Sequence, residues 1–257
     1  MHQLSAGRTL FSDCTQSVFR SSDVCDRQLA NGIDFWTDRF DGAIARPAAG
    51  HGIAIGDVNS DGLDDAYLCQ SPALPNLLLI QQPNGTVIDT AAEAGVNWLE
   101  GTRAAILNDL DYDNDSDLDL FICGYTLSVG VNLDDVFANP MPFEDATNGA
   151  PNVMLRNDGN WGFTDVTDAI GMGKSMKFSY GSSWDDYDGD GDLDCYIAND
   201  FGRNNGDGNF ADTSVASGVT LGRWAWGSVF ADFNNDGWQD LYVTNGFITS
   251  DDPDRDL

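Results

Sequence analysis

Asp57-Val58-Asn59-Ser60-Asp61-Gly62-Leu63-Asp64-Asp65 decides how this chain is read, because the same nine-residue phrase returns three more times. It recurs as Asp111-Tyr112-Asp113-Asn114-Asp115-Ser116-Asp117-Leu118-Asp119, as Asp186-Tyr187-Asp188-Gly189-Asp190-Gly191-Asp192-Leu193-Asp194, and as Asp232-Phe233-Asn234-Asn235-Asp236-Gly237-Trp238-Gln239-Asp240. Each copy reads D-x-[DN]-x-D-[GS]-x-x-D. Oxygen side chains at positions 1, 3 and 5 converge when such a loop coils tightly, and glycine at position 6 permits the sharp turn that follows. The carbonyl of position 7 (Leu63, Asp117, Asp192, Trp238) and the carboxylate of position 9 then complete a cage of six or more oxygens. Such a cage suits calcium. Magnesium demands tighter octahedral geometry, and zinc takes Cys or His, of which this chain has only His2 and His51 among histidines. Up to four calcium ions are expected. The second loop departs most, with Ser116 in place of glycine.

An EF-hand shares the first six loop positions but needs a bidentate Glu at position 12. Here that position holds Leu68, Ile122, Ile197 and Val243. Short apolar runs flank each loop instead. Those before are residues 52–55, 104–107, 180–184 and 227–231; those after are 66–69, 120–123, 195–198 and 241–244, rich in aromatic and β-branched residues, and read as strands buried on both faces. In the first two copies a further pair follows, residues 76–80 and 86–89 joined through Asn84-Gly85, and residues 152–156 and 162–166 joined through Asp158-Gly159, both strong hairpin signals. The unit is therefore strand, metal loop, strand, hairpin. Four antiparallel strands per repeat, at spacings of 54, 75 and 46 residues, predict an all-β chain with β-propeller blades, since a ring hides the edges that a flat stack would expose. The expected division is an N-terminal segment over 1–49, then repeats at about 50–100, 101–173, 174–220 and 221–257.

The bulk composition agrees. Of 257 residues, 42% are hydrophobic and 11% aromatic, enough for a packed core. The net charge of −30 comes from 39 Asp and only 3 Glu. A surface needing mere negative charge has no reason to refuse Glu, so short oxygen-bearing side chains on tight loops are what the chain selects. Twelve Lys and Arg against that charge exclude a nucleic-acid backbone as partner. No apolar stretch is long enough for a membrane helix, and residues 1–10 lack the apolar centre of a signal peptide. Of the five cysteines, Cys14 and Cys25 are close enough for a local disulfide, whereas Cys69, Cys123 and Cys195 fall in strand-like runs and read as buried thiols.

These phrases, with Gly50-His51-Gly52-Ile53-Ala54-Ile55-Gly56-Asp57, residues 178–186, Ala198-Asn199-Asp200-Phe201-Gly202-Arg203-Asn204 and Leu241-Tyr242-Val243-Thr244-Asn245-Gly246, resemble FG-GAP/VCBS repeats, as in integrin α-subunit propellers, and more closely the ASPIC/UnbV, or cartilage acidic protein, family. The resemblance covers about residues 30–250 and implies a secreted, cell-surface or periplasmic calcium propeller with roles in adhesion or matrix binding. Three departures stand out. Nothing between Ala198 and Gly206-Asp207-Gly208 leaves room for a third strand; residues 125–150 form an insertion; and the repeats fall short of the seven or eight blades of relatives. Either the chain is a fragment, or Gly32-Ile33-Asp34-Phe35-Trp36 supplies a missing outer strand.

The expected function is a binding or adhesion module for a protein or glycan, with calcium stiffening the loops. Two other classes compete. An enzyme acting on sugars as a lyase or dehydratase would need an acid and a base in one cleft, and His51, Lys174, Lys177, Arg103, Arg156, Arg203 and Arg223 make no recognisable constellation. A structural subunit of a filament or surface layer would complete a blade from a neighbour. Arg223-Trp224-Ala225-Trp226 reads either as a sugar-stacking element or as core between blades. The sequon Asn84-Gly85-Thr86 sits on a hairpin turn; Asn114-Asp115-Ser116 sits inside a metal loop, where modification is not expected.

Overall fold

The computed structural model describes residues 12–23, 28–29, 52–72, 74–109, 117–126, 146–159, 162–172, 176–191, 193–200, 213–220 and 225–245. Apart from one helical turn, α1 (Thr15–Val18), and a helical pair at Gln28-Leu29, the regular structure there is all β, in four antiparallel sheets. The first sheet runs β1 (Ile53–Gly56), β2 (Asp65–Leu68), β3 (Leu77–Gln81), β4 (Val87–Asp89); the second runs β5 (Gly101–Asn108), β6 (Asp119–Thr126), β7 (Val153–Asn157), β8 (Phe163–Asp165). The third pairs β9 (Phe178–Asp185) with β10 (Asp194–Asp200), and the fourth pairs β11 (Ala225–Ala231) with β12 (Asp240–Asn245). Each sheet is a meander in chain order, and each metal loop joins its first two strands, as the repeats predict.

The predicted hairpins form at Gly85 and Gly159, whose φ of 78° and 72° lie where an L side chain is strained. A second punctuation mark escaped the sequence reading. After β4 and β8, and again over 213–219, the chain makes one tight turn ending in a left-handed glycine (Gly95, Gly171, Gly218). Its bonds repeat: Val96 N–H to Ala91 O, Met172 N–H to Thr167 O and Val219 N–H to Ser214 O, each 2.9 Å. The third repeat therefore keeps its exit turn, although its described sheet has two strands. The tyrosine of the second strand reaches that turn in two repeats, Tyr67 Oη donating to Val96 O at 2.8 Å and Tyr196 Oη to Val219 O at 3.5 Å.

Burial follows the period of two. Along β6, Leu120 and Ile122 pack toward the first sheet with Tyr67, Leu78, Ile80, Val153 and Leu155, while Phe121 and Cys123 pack with Met154 toward Trp184, Cys195 and Ile197 of the third. Tyr196, Ala198 and Ala225 join the third sheet to Phe230, Leu241 and Val243 of the fourth. Each sheet is thus laid against the next in chain order, with the first strands adjacent and Ser183 Oγ lying 2.7 Å from Ser228 Oγ between β9 and β11. The expectation of strands buried on both faces holds for β6, whose residues up to Tyr125 are all buried, and fails for β12, which has no buried residue. Nothing described covers the far side of that last sheet.

The cysteines divide as their surroundings dictate. Cys69 and Cys123 are buried, as expected, and burial pushes their thiols up to about 12; Cys195 is only half-buried, though burial also holds its thiol well above the ordinary value. Cys14 is an exposed thiol; its expected partner, Cys25, lies outside the described residues, among which there is no disulfide. The stretch 32–36 and most of the insertion also lie outside them.

Candidate metal loops

Three loops adopt one hydrogen-bonded conformation, register by register. In the first, Asp61 N–H is shared between Asp57 Oδ1 and Asn59 Oδ1, both at 3.0 Å, and Gly62 N–H donates to Asp57 Oδ2 at 2.7 Å. In the third, Asp190 N–H meets Asp186 Oδ1 and Asp188 Oδ1 at 3.1 and 3.2 Å, and Gly191 N–H meets Asp186 Oδ2 at 3.0 Å. In the fourth, Asp236 N–H meets Asp232 Oδ1 and Asn234 Oδ1 at 3.0 and 2.8 Å, and Gly237 N–H meets Asp232 Oδ2 at 2.9 Å. Position 9 closes each ring from behind: Asp65, Asp194 and Asp240 accept from the position-2 N–H of Val58, Tyr187 and Phe233 at 3.2, 3.1 and 3.2 Å. The N–H of position 7 turns back onto position 5 in two loops, Leu63 to Asp61 and Trp238 to Asp236, both 2.9 Å.

This winding needs two left-handed residues. Position 6 is one, at Gly62, Gly191 and Gly237 (φ 86°, 98° and 91°). Position 4 is the other, at Ser60, Gly189 and Asn235 (φ 57°, 75° and 59°), and the sequence reading overlooked it. Gly and Asn there were the available signal; Ser60 departs from it and accepts the strain.

The donor set fits a hard divalent cation. Carboxylate oxygens of Asp186, Asp188 and Asp194 all lie within 4.8 Å of one another. Each such pair repels by roughly 1 to 4 kcal/mol, depending on how well water screens it. Burial, with Asp188, Asp190 and Asp186 adding to it, holds the Asp194 carboxyl above the usual carboxylate range. Asp65 is raised for the same reasons, burial first, then Asp61 and Asp57, against the two backbone donors that favour its ionised form. A divalent ion would reverse that repulsion, held by positions 1, 3, 5 and 9: Asp57, Asn59, Asp61 and Asp65; Asp186, Asp188, Asp190 and Asp194; Asp232, Asn234, Asp236 and Asp240. Asp192, like Asp111, Asp113 and Asp115 of the second loop, lies outside the described residues. Asp117 and Asp119 are described. Besides Ser116, the second loop differs in length: the step between its paired strand ends, Asn108 to Asp119, is two residues longer than that from Gly56 to Asp65.

Residues 186–243, which hold the third and fourth loops, match the FG-GAP-like repeat family. The chain carries an FG-GAP-like repeat. A stretch of 54 residues is also 39% identical to mouse cartilage acidic protein 1, covering 21% of this chain and 8% of that protein. That match spans a small part of the relative's length and is local.

Sequence reasoning missed the groups that carry the repeat's loops on its sheets. Asp65 Oδ1 accepts from Gln81 N–H on β3 at 2.8 Å, and Asp119 Oδ1 accepts from Asn157 N–H on β7 at 2.8 Å. The amide of Asn157 then donates to Val58 O at 3.0 Å, tying the first loop to the second sheet. Of the residues weighed for acid–base chemistry, Arg156 pairs with Asp158 at 2.7 Å, Arg103 lies over two tyrosine rings, and Lys177 is buried; His51, Lys174, Arg203 and Arg223 lie outside the described residues.

Proposed function

We propose that this chain is a calcium-binding β-propeller module that works outside the cytoplasm, as a binding or adhesion element for a protein or glycan and not as an enzyme. One observation carries the reading: three loops far apart in sequence wind through the same set of backbone-to-side-chain-oxygen bonds, and in the third of them this brings three carboxylates within 4.8 Å of one another, at a cost that a cation would cancel. Sheets laid face to face in chain order, with first strands adjacent, support the blade architecture. Bound calcium would supply charge neutralisation and rigidity. The protein's own part is to hold position 9 from the second strand and positions 1 to 5 from the coil. Among the described residues no helix is long and apolar enough to cross a membrane.

The test is calorimetric titration of the chelator-stripped chain with calcium and, separately, magnesium. Saturable calcium binding at up to four sites, with magnesium much weaker, is expected; no heat at millimolar calcium refutes the reading. Self-assembly is a second reading, favoured by Val229, Phe233, Trp238 and Tyr242 of the fourth repeat, all 46–62% exposed. Sedimentation with and without chelator reports it: a larger species supports it, and a monomer at all concentrations excludes it.

A further inference from the structure

Each sheet meets the next through the same registers, and the fourth sheet turns those registers toward nothing described. The aromatic residue two places after position 9 faces the following sheet. Tyr67 packs against the second sheet, Phe121 meets Trp184 of the third edge-on at 5.1 Å, and Tyr196 packs toward the fourth. These three are 0%, 0% and 6% exposed, whereas Tyr242, at the same register, is 58% exposed. Position 2 of the loop behaves alike. Val58 is buried against the second sheet and Tyr187 stacks on Phe230 of the fourth at 6.4 Å and 11°, while Phe233 is as exposed as Tyr242 and lies edge-on to it. Two residues before the end of the first strand, Ala54 is buried against the second sheet and Ser183 meets Ser228 of the fourth, while Val229 is exposed.

The receiving half of this interface is bare at the other end of the row of sheets. One residue before the end of its first strand, each later sheet offers a large group to the sheet before it: Leu107, Trp184 and Phe230. The first sheet has Ile55 there, 61% exposed, with Ile53 beside it at 56%. Both stand on the same face as Leu77 and Leu79, with which they share cross-strand partners on β2. Phe19 and Leu29 pack on Leu77 and Leu79 and leave Ile53 and Ile55 open. The two open surfaces are the two halves of a contact that the chain makes three times within itself.

We propose that a second copy of this chain completes that contact, its first sheet laid on the fourth sheet of the other. Phe233 and Tyr242 of one copy then meet Ile55 of its partner, as Tyr187 meets Phe230 and Phe121 meets Trp184. A foreign protein on the fourth sheet would leave Ile53 and Ile55 bare, whereas a second copy matches both surfaces in a register already in use. The contact is head-to-tail, and two copies of four sheets make eight, within the range of propeller rings. At a net charge of −30 the copies repel, and calcium in the loops with salt around them lessens this, so the pair belongs to the calcium-loaded form. This docking rests on the self-assembly reading and names its surfaces.

Sedimentation equilibrium of the calcium-loaded chain at physiological ionic strength tests it. A concentration-dependent dimer with Kd on the order of 10 μM is expected. Tyr242→Asp and Ile55→Asp, on opposite ends of the row, should each weaken it at least about tenfold, and Ile88→Ala, on β4, should leave it unchanged. An equimolar mixture of the two Asp variants should associate again, because it keeps one pair of intact surfaces. Calcium titration of the same samples shows that each variant is folded and loaded. A dimer that either Asp variant leaves intact, or that their mixture fails to restore, overturns this docking and leaves self-assembly standing. A monomer at every concentration overturns both and leaves the calcium reading standing.

Discussion

The first two repeats and the last two carry the same loop motif on different amounts of described sheet. In the first pair, position 9 is anchored on three strands, because Asp65 and Asp119 bond the backbone of the third strand and are 1% and 2% exposed. In the last pair the described sheets have two strands, and Asp194 and Asp240 stay half-exposed. The loops of the third and fourth repeats nevertheless keep every bond of the first that winds position 5 and position 6 onto position 1. Loop conformation is therefore written locally, in the spacing of Asp, Asn and Gly, while the stability of the loop's base depends on the sheet beneath it.

The largest effect expected from this contrast is at position 9 in the absence of calcium. Asp65→Ala strips the acceptor from Val58 and Gln81 in a buried setting and should cost about 3 kcal/mol in urea unfolding with chelator present, against about 1 kcal/mol for Asp240→Ala. Equal losses would break the comparison. Calcium removal comes next. At a hundred times its Kd, calcium bound to one folded site contributes about 2.7 kcal/mol, and the two-stranded sheets have less else to hold them. Hydrogen exchange in chelator should therefore accelerate more in β11 and β12 than in β2 and β3. Uniform acceleration would show that the four sheets open as one unit.

The two left-handed positions give smaller effects of opposite sign. Gly62→Ala meets no atom within 4 Å yet forces an alanine to φ 86°, and should destabilise by about 1 kcal/mol. Ser60→Gly relieves φ 57° and should stabilise by a few tenths of that amount. Thermal melts of both variants check the signs. The smallest effect is on pH. Asp65 and Asp194 are held above the ordinary carboxylate value of 3.8. Their contribution to the stability of the calcium-free fold is complete only below that value and is lost as pH rises through the raised ones. Calcium needs both ionised, so its affinity should fall as pH drops from neutral into that raised range, with protons released on binding. Titrations in buffers of different ionisation heat measure the release.

Much of this architecture was legible in the sequence because it is encoded at short range. The aspartate spacing gave the loops, the β-branched and aromatic runs gave the eight strands around them, and Asn84-Gly85 and Asp158-Gly159 gave both hairpins. What stayed hidden depends on contacts distant in sequence. Asn157 reads as an ordinary strand end until Val58, 99 residues away, is seen to accept from it. The bulges that leave Arg103, Tyr180 and Trp226 as extra residues in β5, β9 and β11 come from cross-strand register; Ala104, Gly181 and Gly227 after them were the faint local trace. Position 4 was readable and overlooked, since Gly189 and Asn235 are residues that favour its conformation.

The most direct measurement is an anomalous-difference map from crystals of the chain grown in millimolar calcium, recorded at long wavelength. A peak bonded by positions 1, 3, 5 and 9 of the loops at 57–65, 186–194 and 232–240 is the predicted result. Loops with that same winding but without a peak at full calcium would contradict the account.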